Sequence, residues 1–356
     1  MLKKKWLGAL IVLLMAALVA AGCGKTNSGT TGGTTETPKS EEQPNAAEQS
    51  KTSDSGPKYN FRLAETHPAD YPTTKGDMKF AELVNERTNG RITIDVFPSA
   101  QLGEEKAVIE QVQLGAIEFT RVSTGPMAEF NKDFGVFSLP YIFDSEEHVW
   151  KFLKSDTATE LLDSLEKSSM KGLTYFSSGS RSFYSTKPLT KLEDLKGMKV
   201  RVIQNKLNME IMEALGASAT PMPYGEVYSS LQTGVIDAAE NNYPSYYSSK
   251  HYEVAKHYLL DSHQRVPEVL LISKQVWEKL SQEDQDVIKQ AAIEATDYQR
   301  EEWGKYEKES EQAVRDGGAI ITEVQDLQPW KDAVKPVVDS YYEQYKTVLD
   351  AIASTK

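Results

Sequence analysis

The chain has 356 residues, with 40 Lys plus Arg against 52 Asp plus Glu and a formal net charge of −12. That balance disfavours nucleic acid or anionic lipid as a partner, and an anionic ligand must be held by a local positive site against the global field. Cys23 is the only cysteine, which excludes an internal disulfide.

Residues 1–22 read as an address. Lys3, Lys4 and Lys5 precede an apolar run from Trp6 to Ala21, shorter than the ~20 residues a spanning helix needs. Ala20-Ala21-Gly22 before Cys23 resembles the box cut by lipoprotein signal peptidase, although leucine is more usual where Ala20 stands. Cys23 is then the lipidated N-terminus that holds the protein to the bilayer; a plain secretory signal is the alternative. Either way the protein works outside the cytoplasmic membrane. Residues 23–58 carry almost nothing apolar and read as a disordered linker, with a reach of roughly 30 Å.

From Tyr59 the chain is long enough for two lobes with separate cores. Tyr59–Ala64 is an expected strand and Asp77–Arg87 a helix closed by Asn89-Gly90. Arg91–Phe97 is a strand, Gly103–Leu114 a helix, and Ala116–Ser123 a strand in which Arg121 shares a face with Ile117 and Phe119. Ser145 caps a helix led by Glu146 and Glu147, whose carboxylates suit the positive end. Leu173–Ser177 is the next strand. In the segment 187–203, KPLTKLEDLKGMKVRVI, Leu192–Leu195 makes a helical turn that Gly197 can end in the left-handed region. Met198, Val200 and Val202 then alternate with Arg201, which puts the arginine on the face opposite the apolar triplet. Leu207–Leu215 is a helix, Ser218–Met222 a strand, Glu226–Gln232 a helix and Val235–Ala239 a strand. This alternation predicts an α/β fold of parallel or mixed sheets flanked by helices. Ser281–Arg315 lacks proline and reads as one helix near 50 Å long at about 1.5 Å per residue. That is too long for one small lobe, so it either runs along both lobes or meets a coiled-coil partner.

Arg201, a second arginine in Arg181-Ser182-Phe183-Tyr184, and the amide pair of Glu240-Asn241-Asn242-Tyr243-Pro244 suggest a pocket for a small carboxylate. The competing reading is that both arginines are solvated on the surface. Glu65, His67, Asp70 and Tyr71 follow the first strand, where loops at strand ends face a cleft.

The segments FPSAQLG (97–103), SLPY (138–141), DLKGMKVRV (194–202) and EVYSSLQTGVIDAAEN (226–241) together resemble the solute-binding proteins of tripartite ATP-independent periplasmic (TRAP) transporters, of the DctP type. The resemblance implies a two-lobed, hinged binding protein with one long helix along both lobes. Each lobe is built from two segments, 59–178 plus 267–306 and 179–266 plus 307–356. It implies that Arg201 clamps the ligand carboxylate, that Arg181 is a second ligand arginine and that Asn241 bonds ligand or clamp. Tyr224 takes an aromatic pocket position and Glu105 an acidic one. Ser123 stands where sialate-binding members carry glutamate, which argues against sialic acid. With Arg121, Asn242 and Tyr243, the groups after the first strand exceed what a simple dicarboxylate needs. The segments at 181–184 and 240–245 are most similar to members that bind hexuronates; a four-carbon dicarboxylate is the alternative. The implied partners are a sugar acid and a TRAP permease, with a monomeric chain and neither cofactor nor metal.

Enzyme readings are weaker. Ser164…Lys167 and Ser168…Lys171 match a serine–lysine spacing without its companion motifs. His251, Glu253 and His257 do not share one helix face as metal ligands would. An adhesin or structural lipoprotein is a third class, with no need of an arginine at a strand end.

Overall fold

A computed structural model describes residues 56–356; the expected signal peptide, nearly all of the linker and Cys23 lie outside them. Eleven strands form two mixed sheets. The first contains β1 (Tyr59–Ala64), β2 (Ile92–Phe97), β3 (Phe119–Ser123), β4 (Met170–Phe176) and β10 (Glu268–Ser273), in the order β2-β1-β3-β10-β4. The second contains β5 (Arg181–Ser185), β6 (Lys199–Val202), β7 (Ser218–Pro221), β8 (Ala238–Asn241), β9 (His257–Gln264) and β11 (Ile320–Glu323), in the order β11-β9-β5-β8-β6-β7. The βα repeats run parallel, β1 with β2 and β3, and β6 with β7 and β8. Around the crossings between sheets the pairing is antiparallel, β10 with β3 and β4 and β5 with β8 and β9, while β9 also pairs parallel with β11.

The chain passes between the sheets after β4 and returns before β10. A long helix, Gln282–Asp316, makes a third connection. Ser281 caps it by accepting the Asp284 N–H at 3.1 Å. Its first half packs on helix Pro72–Arg87 and on β4, and it continues past helix Tyr243–Ser248 on the side of the second sheet. Where it passes the first crossing, buried Gln299 accepts the Ser177 N–H at 2.8 Å and donates to the Ser177 carbonyl at 2.9 Å. A strand leaving its sheet would otherwise bury both groups unpaired, each at a cost of about 1–3 kcal/mol.

Several boundaries differ from the sequence reading. The first helix begins at Pro72 rather than Asp77, because proline suits a first helical turn and Tyr71 is extended. Asp77 is therefore inside the helix and fully buried. The strand expected at 235–239 lies at Ala238–Asn241, since Gly234 (φ +74°) ends the preceding helix and leaves Val235 in an exposed turn. The helix Gln328–Ser354 has no counterpart in the reading; it contains Pro336 and is buried only at intervals. It also joins the two halves. The Tyr341 hydroxyl donates to Glu210 Oε2 at 2.7 Å, the Tyr345 hydroxyl to the Lys132 carbonyl at 3.1 Å, and the Ile352 carbonyl meets His148 Nε2 at 2.8 Å. The cores are accordingly not fully separate. One apolar cluster backs the first sheet and one lies in the second, but the third runs from Phe134 and Phe137 through Val200 and Leu207 to Trp330.

Candidate functional site

Strand ends and adjoining loops of both sheets converge on a small polar cavity. On the second-sheet side, β6 delivers Arg201. Gly197 (φ +76°) closes the turn before it, Val200 and Val202 are buried in the core, and the alternation turns Arg201 to the other face. Arg201 is only 5 % exposed. Its Nε and Nη2 both donate to the Met222 carbonyl, at 3.1 and 2.9 Å. A guanidinium has five N–H donors, so three remain without a protein partner among the described residues. No described carboxylate pairs with it, whereas the other two buried arginines, Arg121 and Arg181, both have partners. Burial pushes the Arg201 pKa down; Glu240 opposes the shift and Arg181 adds to it.

Arg181, opening β5, is nearly saturated. The Glu240 carboxylate accepts from Nε and, at 3.0 Å, from Nη2, which also reaches the Glu240 carbonyl at 2.8 Å. Nη1 donates to Asn241 Oδ1 at 2.8 Å, leaving one N–H. Burial works against its charge, but Glu240 outweighs that and the pKa rises.

The first-sheet side is acidic. Buried Arg121 donates to Glu65 Oε2 at 2.7 Å and to Glu268 Oε2 at 2.6 Å, with Glu105 at 3.8 Å. Glu65 also accepts the His67 N–H at 2.6 Å. Glu105 begins the helix Glu105–Gln113, accepts the Ser123 N–H at 2.7 Å and keeps 18 % of its side chain exposed. Burial and the neighbouring Glu268 push its pKa up to about 7, against the pull of Arg121. Burial and the charge of Arg121 hold the His67 imidazole neutral, with a pKa of about 3. Its ring stacks on Tyr71 at 3.9 Å, and the Tyr71 hydroxyl lies 2.8 Å from Ser245 Oγ.

Arg201, Arg181, Tyr224, Asn241, Glu105 and His67 thus line the cavity, and Ser123 and Asn242 are also on its wall. Arg121, Glu65 and Tyr71 stand one layer behind, holding Glu268, His67 and Ser245. Tyr243 lies elsewhere: Asn242 caps the helix Tyr243–Ser248, which turns Tyr243 to stack on Tyr258 at 4.6 Å in the second-sheet core. Sequence reasoning missed Glu268, Ser178 and Ser245. A signal for Glu268 was present, an acid opening the apolar run Val269–Ile272.

The enzyme alternatives find no support. The Ser164 and Ser168 hydroxyls donate to the carbonyls of Leu161 and Phe130 at 2.6 and 2.8 Å, and Lys171 is ion-paired with Asp163 and Glu166. His251 Nδ1 lies 2.7 Å from the Tyr184 hydroxyl. Among the described residues no acid, histidine or cysteine cluster could hold a metal.

The family model for bacterial extracellular solute-binding proteins of family 7, DctP, matches residues 63–345. A solute-binding protein of Chromohalobacter salexigens is 40 % identical over 287 residues, covering 80 % of this chain and 85 % of that one. The crystal structure of a TRAP periplasmic solute-binding protein from Xanthobacter autotrophicus Py2 with bound β-D-galacturonate superposes with a TM-score of 0.81 at 41 % identity, covering 83 % of this chain and 100 % of that one. A second, from Pseudomonas putida F1 with bound D-glucuronate, gives 0.81 at 38 % identity, covering 83 % and 97 %.

Glu105 gives the site a measurable pH signature. Its folded-state pKa of about 7 lies above the ordinary 4.5. Between those values the folded protein binds more protons than the unfolded chain, so the contribution of Glu105 to stability is lost as pH rises. Chemical denaturation of Glu105→Gln across this range should show a shallower decline than the wild type; identical pH slopes would contradict the assignment.

Proposed function

The chain belongs to the DctP family of TRAP-transporter solute-binding proteins, and from that membership we propose that it captures a hexuronate of the glucuronate or galacturonate type and delivers it to a TRAP permease. The family transports solutes and is not enzymatic. The observation that carries the ligand assignment is Arg201, a buried guanidinium with three N–H groups unpartnered and no ion-paired carboxylate among the described residues. A ligand carboxylate receiving two parallel N–H bonds supplies the missing charge in a geometry that lysine cannot copy.

The rest of the cavity argues for a sugar acid over a four-carbon dicarboxylate. Glu105 and Glu268 face the cavity from the first-sheet side. Their oxygens suit hydroxyl donors, whereas a second ligand carboxylate would meet like charge at close range. The single remaining N–H of Arg181 and the amide groups of Asn241 and Asn242 add further polar contacts. The hexuronates bound by the neighbours from X. autotrophicus and P. putida support the same class.

In this reading residues 59–178 plus 267–306 and residues 179–266 plus 307–356 form two lobes that close on the ligand about the two crossings and the long helix, in a chain that acts as a monomer. The C-terminal helix, touching both, moves with that closure. Residues 1–22 are the export signal, 23–58 the tether, and Cys23 the lipid anchor on the outer face of the cytoplasmic membrane. Two or more acyl chains anchor stably where one does not. Cys23→Ser should therefore leave the membrane fraction, and retention after a salt wash would refute the anchor.

Titration calorimetry tests the ligand. D-Glucuronate or D-galacturonate should bind, and glucose, galactose and succinate should not compete. Truncating one partner of a buried charge pair costs about 2–5 kcal/mol, or roughly 30- to several-thousand-fold in affinity. Arg201→Ala should lose that much, and Arg201→Lys should also bind poorly. Full-strength binding of glucose, or an Arg201→Ala protein that holds the acid tightly, would overturn the proposal.

A further inference from the structure

Elements on the two sides of the cavity touch through glycines at more than one point. A Cβ at Gly125, just after β3, would lie 2.7 Å from the Ile203 side chain, just after β6. A Cβ at Gly225 would overlap the carboxylate of Glu104. Neither glycine has a positive φ. Backbone freedom is thus not what these positions need; the missing side chain is.

The Glu104–Gly225 contact lies beside the ligand cavity without lining it. Glu104 precedes the cavity residue Glu105, and Gly225 follows the cavity residue Tyr224. The Tyr224 ring sits between the two sides, 5.9 Å from the Arg201 guanidinium and 5.2 Å from the His67 ring. Its hydroxyl donates to the Ser245 carbonyl at 3.2 Å. Burial raises the Glu104 pKa and the charge of Glu226 adds to the rise, while the backbone at Gly225 and Tyr224 and the charge of Arg201 oppose it. The carboxylate from one side thus lies directly against the bare backbone of the other, and the contact joins the two sides.

We propose that Glu104 and Gly225 are a positioning pair for ligand capture: the Glu104 carboxylate seats on the bare Gly225 backbone and holds Tyr224 over the cavity in the closed arrangement. The pair touches no ligand. It acts by raising the population of the closed form, and apparent affinity scales with that population. This rests on the hexuronate-capture reading, and the tests below separate the two.

A double-mutant cycle read by titration calorimetry with D-glucuronate is the first test. Gly225→Ala should weaken binding by several-fold, since the new methyl displaces the Glu104 carboxylate and the closed fraction enters the affinity directly. Glu104→Ala should weaken it by several-fold. With the carboxylate gone the new methyl has room, so Gly225→Ala should cost almost nothing further in the Glu104→Ala background. Coupling of this kind is the signature of direct contact. A Gly225→Ala protein that binds as wild type does, or one that loses as much in the Glu104→Ala background, overturns the pair. Absence of wild-type binding overturns the ligand reading instead. Amide exchange then tests the pair without ligand: Glu104→Ala should speed exchange at Tyr224 and Gly225, and unchanged rates overturn it.

Discussion

Removing a cation from water costs several kcal/mol unless charge and hydrogen bonds are returned to it. At Arg201 the protein returns one carbonyl, that of Met222, through two N–H bonds, and no carboxylate. The imbalance is held in place by its surroundings. Val200 and Val202 fix β6 in the core, Gly197 sets the approach, and β7 and β8 flank the strand on either side. Arg181 cannot swing across to share the load, because Glu240 and Asn241 occupy four of its five donors. The guanidinium therefore keeps both its charge and an edge without a partner among the described residues, the arrangement that the proposed carboxylate ligand would complete.

The opposite side has the reverse character. Around Arg121 stand Glu65, Glu268 and Glu105, three carboxyl groups about one cation. They cannot all be comfortable as anions, and the one nearest solvent, Glu105, is where the proton affinity rises. The cavity is thus polarised, cationic toward β6 and acceptor-rich toward β3 and β10. A molecule with one carboxylate and several hydroxyls matches both ends, whereas one with a carboxylate at each end matches only one. The layer behind the wall matters as much as the wall: Arg121, Glu65 and Tyr71 orient Glu268, His67 and Ser245 without reaching the cavity.

What could be read from the chain was governed by how local the causes are. β1, the Gly197 turn, the alternation that turns Arg201 out of the core and the Ser281 cap all follow from residues within one turn or strand, and all are present in the structure. The swap of β10 into the first sheet depends on pairings with β3 and β4 some 90 to 150 residues away, which no periodicity carries. Arg121 was legible as a buried-face arginine, but its partners Glu65 and Glu268 sit on different strands, so its role behind the wall was not. Tyr243 departs from the expected cavity position for a local reason: Asn242 caps a helix there, with Pro244 in its first turn, which rotates the tyrosine away and brings Ser245 to the cavity. The C-terminal helix was hidden by Pro336 and by a face that is buried against two different partners.

In the proposed complex the free edge of Arg201 seats the carboxylate of a sugar acid while the acid-rich side receives its hydroxyls. A crystal structure of the complex with D-glucuronate tests this most directly. Both carboxylate oxygens should lie within hydrogen-bond distance of Arg201, about 2.7–2.9 Å, with ring hydroxyls donating to Glu105 or Glu268. A ligand bound the other way round, with its carboxylate away from Arg201 and a hydroxyl or water on the guanidinium, would contradict it.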